Sequence, residues 1–368
     1  MTGVCGLIVN PVAGIGGEAA LAGSDGEDVQ QQALARGARP RSGARAERAL
    51  RAVVALTPEV HVLTGGGAMG EEACRRAGIP HTVVHRASEH TTADDTRRLA
   101  MILRDAGVEV LLFAGGDGTA RDVCEAVGTE TLVLGIPSGV KMHSGVYAVT
   151  PEHAGPLLSG LLAGTTGETL AEVVDIDEEA RRRGVLGARL YGYLRVPEAP
   201  EAIQRGKVGS TADPSSLGGI AREVAERLAP GVPCLLGPGT TVREVAAQLG
   251  VQASLLGVDV LEDGRISGEN LDAAGLRRAV GARRFQVLLS PIGGQGVLLG
   301  RGNQQIDESL LQHLHREDLL VVSSPRKLAS FAGRGLLIDA PTAALNERFR
   351  GRVRVITGYR QEALLPLR

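Results

Sequence analysis

Through the first 150 residues, short apolar runs alternate with glycine-rich turns and helical patterns. Cys5–Val9 runs into Asn10–Gly17 (NPVAGIGG), and Glu59–Leu63 into Thr64–Gly70 (TGGGAMG) with an amphipathic stretch to Ala77. His81–His85 and Thr131–Ile136 are two further runs, and Val108–Ala114 leads straight into Gly115–Thr119. Strand, glycine turn and helix in repetition predict parallel strands with crossovers. Continuous apolar strands, rather than alternating ones, suit a sheet covered on both faces. The class predicted for residues 1–150 is α/β, a doubly wound domain. The polar stretch Ser24–Arg51 reads as a surface helix behind a mobile Gly-Ser loop.

A boundary falls near Val149–Glu152, and Pro151–Ala163 reads as a helix packing back on the first domain. Strands are then expected at Glu172–Asp177, Arg189–Val196, Val232–Leu236, Ser254–Val260, Arg265–Ser267 and Phe285–Ser290. Helices are expected at Leu217–Leu228, Thr241–Leu249 and Ser309–Arg316. This predicts a second, β-rich domain of α+β type over residues 151–335. Residues 336–368, with runs at Leu336–Asp339 and Val353–Gly358, form a C-terminal segment expected to return to the first domain.

Composition narrows the function. Forty Lys and Arg against 42 Asp and Glu give a net charge of −2, so nothing attracts nucleic acid or an anionic membrane through charge. Four Phe, four Tyr and no Trp leave little to stack bases on. Cys5, Cys74, Cys124 and Cys234 stand alone without a CxxC pair, and the opening MTGVCGLIVN lacks the basic flank of a signal peptide. A cytoplasmic protein with no membrane span is expected.

The strongest chemical signal is LLFAGGDGTARD over Leu111–Asp122. Gly115, Gly116 and Gly118 clear side chains from a turn whose amides, with the start of the next helix, make an anion site. Asp117, an anion among them, makes sense if it meets Mg²⁺ or takes a proton from an attacking hydroxyl. A tight turn with Asp as a helix cap is the plainer alternative. Asn10, Gly14, Gly16 and Gly17 read as a second phosphate-facing loop or as a sharp turn with an Asn cap. Thr64, Gly65 and Gly66 form a third loop at such a strand end. Lys141 is one of three lysines, with Lys207 and Lys327, beside 37 arginines. That choice suits a compact charge near phosphate, or marks a surface loop.

GGDGT after a strand resembles the nucleotide-phosphate motif of the superfamily that holds NAD kinases, diacylglycerol and sphingosine kinases, and 6-phosphofructokinases. Asn10–Gly17, Gly135–Thr150 (GIPSGVKMHSGVYAVT), Pro238–Thr241, LLGVD at Leu255–Asp259 and SPIGGQGVLLGRGN at Ser290–Asn303 narrow the resemblance to the divergent ATP-NAD kinase-like family. It covers nearly the whole chain and implies transfer of the γ-phosphoryl group of ATP, or of polyphosphate, to the 2′-hydroxyl of NAD.

The resemblance makes Asp117 the candidate catalytic carboxylate, with Mg²⁺ accompanying ATP and no metal held by the protein alone. Gly115, Gly116, Gly118 and Thr119 would hold phosphate or ribose oxygens, and Asn10 with its glycines would contact ATP. Asp122 would place metal or water, or simply favour the helix start. Ser138, Lys141, His143 and Ser144 come from the second glycine segment, His143 serving phosphate or structure. Thr240, Thr241, Gly293, Gly294, Gln295, Arg301 and Asn303, with Thr64–Gly66, are the candidate dinucleotide contacts, Arg301 being equally readable as a solvated turn residue. The site is expected in the crevice between the domains of a homo-oligomer. Two family features are missing: a clear Asn-Glu/Asp pair, for which Asp175–Glu178 is a poor match, and the Thr-Pro-Thr-Gly-Ser run. The acceptor therefore stays open. The rivals are a lipid or other small-molecule kinase and a non-catalytic nucleotide-binding sensor.

Overall fold

A computed structural model describes residues 3–21, 27–87, 91–139, 142–176, 188–200, 202–203, 214–331 and 333–368. Lys141, and the Asp177–Glu178 end of the acidic DIDE stretch, lie outside the described residues. In order, the elements are β1 (Val4–Val9), α1 (Glu27–Ala35), α2 (Ser42–Leu56), β2 (His61–Gly65), α3 (Glu71–Ala77), β3 (His81–His85), α4 (Ala93–Asp105), β4 (Val110–Gly115), α5 (Asp117–Val127), β5 (Val133–Pro137), α6 (Ala154–Leu162), β6 (Glu168–Ile176) and β7 (Ala188–Pro197). There follow α7 (Pro214–Arg227), β8 (Cys234–Leu236), α8 (Thr240–Gln248), β9 (Asp259–Glu262), β10 (Arg265–Gly268), α9 (Ala273–Val280), β11 (Gln286–Leu289), β12 (Val297–Leu299), α10 (Glu308–His313), β13 (Leu319–Val322), α11 (Pro325–Ala329), β14 (Leu337–Ile338), α12 (Ala343–Phe349), β15 (Gly351–Gly358) and β16 (Gln361–Leu367).

The chain divides into two units. The first holds Met1–Ile15, Gly23–Gln30 and Arg39–Gly206, and the second Gly16–Ala22, Gln31–Ala38 and Lys207–Arg368. In the first, five parallel strands run in the order β3-β2-β1-β4-β5. Side chains alternate between two buried faces, as a doubly wound sheet requires. Cys5, Leu7 and Val9 of β1, with Val110, Leu112 and Ala114 of β4, pack on Ala46, Ala49, Leu50 and Val53 of α2 and on Leu157 and Leu158 of α6. Ile8, Leu111 and Phe113 face the other core, with Leu99 and Leu103 of α4 and Val123 of α5. The stretch read as a surface helix forms two: α1, mostly exposed, and α2, which buries one face because its small apolar residues recur at helical spacing.

The antiparallel pair β6–β7 closes the first unit. Its Val173, Leu194 and Val196 join the core containing Phe113 and Tyr147. These two rings meet edge to face with centroids 5.5 Å apart. The first unit thus runs on to residue 206, well past Val149–Glu152.

The second unit is built on a mixed sheet ordered β10-β9-β8-β11-β13-β15-β16. Its centre, β8, β11, β13 and β15, is parallel, and β9, β10 and β16 add antiparallel edges. Leu235, Val287, Val321 and Val355 face one core with Leu276, Leu310 and Phe349. Cys234, Leu288, Leu320 and Ile356 face the other with Ile220, Val224, Val242 and Val245. The C-terminal segment does not return to the first unit. Val321 and Val322 of β13 pair with Val355 and Ile356 of β15, which extends the second sheet instead. Among the described residues no helix is long and apolar enough to cross a membrane.

Candidate functional site

In the first sheet the strand order reverses between β1 and β4, because the chain leaves β1 towards β2 and later crosses to β4 on the other side. Ligands of open α/β sheets sit outside the carboxyl ends of strands at such a switch point. Asn10 follows β1 there, and its amide donates to the Ala114 carbonyl of β4 (3.0 Å). Its Nδ2 donates to Thr119 Oγ1 (2.9 Å), and its Oδ1 accepts from the Val12 amide (3.2 Å). Asn10 therefore ties the first loop to the start of α5.

Three glycines make this meeting possible. Gly14 has φ of 78°, a left-handed conformation, and a Cβ there would run into the Ser138 carbonyl oxygen. A Cβ on Gly115 would overlap Thr119, and one on Gly116 would lie 3.2 Å from the Gly139 Cα. The loops after β1, β4 and β5 consequently touch backbone to backbone. The Ser138 amide donates to the Gly115 carbonyl (2.9 Å).

Asp117 opens α5 and is 5% exposed. Its Oδ2 accepts from the His143 amide (2.6 Å), with His143 Nδ1 3.2 Å away, and its Oδ1 accepts from the Ser144 amide (3.1 Å). Ser144 is fixed in turn against β6, its Oγ donating to the Val174 carbonyl (2.9 Å) and lying 3.0 Å from the Val174 amide. The carboxylate thus pins the second glycine segment over the first through charge-assisted bonds.

Asn10, Gly14, Gly115, Gly116, Asp117, Thr119, Ser138, His143 and Ser144 are brought together here, and Gly118 lies in the first turn of α5. Gly16 and Gly17 group with the second unit. Asp122 points elsewhere: it is buried, and Arg97 Nη1 of α4 donates to its Oδ1 (2.7 Å). Burial pushes its carboxyl up to about 6, against the pull of Arg121 and Arg97. That arrangement fits a strut between α4 and α5. Thr64 donates its hydroxyl to the Leu7 carbonyl (2.9 Å), and a Cβ on Gly65 or Gly66 would press on Met69 or Arg86, so that loop is tightly packed.

In the second unit, Thr240 and Thr241 open α8. The Ile292 carbonyl accepts from the amides of Gln295 (3.2 Å) and Gly296 (2.9 Å), turning the chain through Gly293 and Gly294. Arg301 and Asp339 are both buried, 3.8 Å apart. Asn303 Oδ1 accepts from the Gly300 amide (2.9 Å) and its Nδ2 donates to the Leu298 carbonyl (2.8 Å), which folds its own loop.

Two positioning residues escaped the sequence reading. Ser42 Oγ donates to the Pro11 carbonyl (3.2 Å), and Arg45 Nε donates to the Pro137 carbonyl. Both sit on α2 one turn apart, and they brace the start of the loop after β1 and the end of β5. The signal was their place on the same helical face as Ala46 and Ala49.

Comparison with known families follows the same division of the chain. Residues 5–166 match the ATP-NAD kinase N-terminal domain, and residues 231–367 match the ATP-NAD kinase C-terminal domain. The chain belongs to the NAD kinase-like family. Membership makes it a phosphotransferase of the NAD kinase type. A search of curated proteins found no match. The family assignment and the switch-point loops rest on separate grounds: the first on sequence likeness, the second on strand order and contacts.

Proposed function

We propose that this chain transfers the γ-phosphoryl group of ATP, or the end group of polyphosphate, to the 2′-hydroxyl of NAD, giving NADP. The observation that supports it is the Asp117 carboxylate, held at the switch point where the glycine-rich loops after β4 and β5 meet. The loops after β1, β4 and β5 cradle the phosphates with main-chain amides and the N-terminus of α5. Asn10 and Thr119 hold that cradle in register. In the transfer, the bond from the γ-phosphorus to its bridging oxygen breaks and a bond to the 2′-oxygen forms. The proton of the 2′-hydroxyl passes to Asp117.

A carboxylate offers about four acceptor positions. Asp117 uses one on Oδ1 and up to two on Oδ2 for His143 and Ser144. A position is left on Oδ1 for a metal ion or a hydroxyl. This fits Mg²⁺ that arrives on the nucleotide and takes most of its ligands from phosphate and water. Bound there, Mg²⁺ would neutralise the charge that develops on the phosphoryl oxygens.

The same contacts favour one second reading. A carboxylate already pinning a loop also suits a nucleotide-binding sensor without turnover. Incubation with ATP, Mg²⁺ and a panel of acceptors (NAD, NADH, diacylglycerol, sphingosine, fructose 6-phosphate) tests both. NADP formed from NAD is the expected outcome. Phosphate on another acceptor overturns the choice of NAD, and nucleotide binding without any product favours the sensor.

A further inference from the structure

Asp175 of β6 opens the acidic stretch and has no part in the site as described so far. It is buried, and its Oδ2 accepts from Arg121 Nη1 of α5 (3.0 Å). Arg121 comes four residues after Asp117, one turn along the same side of the helix. These contacts close a ring. Asp117 Oδ1 accepts from the Ser144 amide (3.1 Å). Ser144 Oγ donates to the Val174 carbonyl (2.9 Å) and accepts from the Val174 amide (3.0 Å). The next residue of β6, Asp175, returns to α5 through Arg121.

Each member of the ring restricts the next. The backbones of α5 and β6 fix the spacing of Asp117 from Arg121 and of Val174 from Asp175. Ser144 is joined to β6 through its hydroxyl, and the Gly145 amide donates to the Glu172 carbonyl (3.1 Å), so this segment moves with the strand. Where β6 stands against α5 therefore decides where the Ser144 amide stands against Asp117. The pair that sets this approach is itself restrained. The Arg121 guanidinium lies over the Tyr191 ring of β7, 5.5 Å from its centroid. Val173 pairs with Gly192 and Val174 with Leu190, so Tyr191 is the extra residue of a bulge, a device that re-aims side chains. Asp122 is engaged by Arg97 at 2.7 Å and lies 4.0 Å from Arg121 Nη2, so the shorter ion pair of Arg121 is the one with Asp175.

We propose that Arg121 and Asp175 are positioning residues for the phosphoryl transfer: their ion pair fixes β6 against α5 and, through Ser144, aims the Asp117 carboxylate at the acceptor hydroxyl. This rests on the role proposed for Asp117, and the two residues act only through it.

Amide hydrogen exchange and steady-state kinetics with ATP, Mg²⁺ and NAD test it on the full chain. Asp175→Asn keeps the shape of the side chain and removes its charge, and Arg121→Met decides the matter should Asp175→Asn not fold. The expected result in both is exchange at residues 143 and 144 faster by about fivefold or more, as the loss of a partly exposed charged hydrogen bond gives. With it, kcat falls about tenfold while KM for ATP and for NAD stays within about threefold of wild type, the mark of a misplaced reacting group. Arg121→Lys keeps the charge and recovers most of kcat. The double variant with Asp175→Asn and Arg121→Met falls no further than either single one, because the pair acts as a unit. Added to Asp117→Asn, Asp175→Asn lowers kcat no further. Unchanged exchange at 143 and 144 overturns the proposal whether or not turnover is seen. Faster exchange with wild-type kcat, or a raised KM at wild-type kcat, overturns the positioning role. Failure of the Asp117 reading shows separately, as undiminished turnover in Asp117→Asn.

Discussion

Asp117→Asn replaces one carboxylate oxygen with an amino group and leaves the shape unchanged. Both oxygens accept main-chain hydrogens in the native site, at 2.6 Å from His143 and 3.1 Å from Ser144. An asparagine can turn its single carbonyl oxygen to only one of these amides, and the other then faces a donor. Losing one hydrogen bond to a charged group costs about 1.5–3 kcal/mol. Opening of the 143–144 loop should therefore become about 10- to 150-fold more frequent, read as faster amide hydrogen exchange at those positions. A proton acceptor removed from the reaction costs a further factor of at least about 10² in kcat.

The two effects separate by assay. Hydrogen exchange reports the clamp, equilibrium binding of nucleotide reports the cradle, and steady-state kinetics reports the chemistry. The expected pattern is faster exchange, nucleotide affinity changed by less than about tenfold, and kcat down at least about 10²-fold. Faster exchange with kcat unchanged would refute the proton-transfer role and leave Asp117 as a positioning residue. Unchanged exchange would refute the clamp.

Three further outcomes follow from the geometry. Gly139→Ala puts a Cβ 2.9 Å from the Gly116 Cα, backbone against backbone, so the loops must part by several tenths of an ångström. The turnover number should fall about 10- to 100-fold with little change in thermal midpoint, and wild-type kinetics would show that the loops need not touch. Asp122, raised by burial from an ordinary 3.8 to about 6, is favoured in its neutral form by folding, so the stability it contributes is full below pH about 4 and lost as pH rises through 6. Urea unfolding at pH 4 and 7 should show this loss, up to about 3 kcal/mol, in wild type and not in Asp122→Asn; equal pH dependence in the two refutes it. Chelation with EDTA should abolish phosphoryl transfer and excess Mg²⁺ restore it; full activity in EDTA would remove the metal from the reaction.

The sequence carries the first unit more clearly than the second for a physical reason. β1 and β4 are buried on both faces, so their runs are apolar without interruption, and the glycines that end them mark loops that must approach one another. In the second unit, β12 spans only Val297–Leu299 and sits inside the glycine-rich SPIGGQGVLLGRGN stretch, where its three apolar residues read as part of a loop. β16 is an edge strand whose alternate side chains face solvent, and its Pro366 weakens any strand pattern. The buried face of α2 is hard to read because its Ala, Leu and Val are interspersed with four Arg and Glu side chains. The partners of Asp117 were harder still. That its oxygens meet amides 26 and 27 residues later depends on how β5 returns beside β4, which no local pattern encodes.

At the carboxyl ends of β1 and β4 a carboxylate stands where the proposed function expects phosphates, and two like charges cannot approach closely without a cation between them. This is why the proposal there requires a metal ion, and why a single acceptor position left on Oδ1 matters.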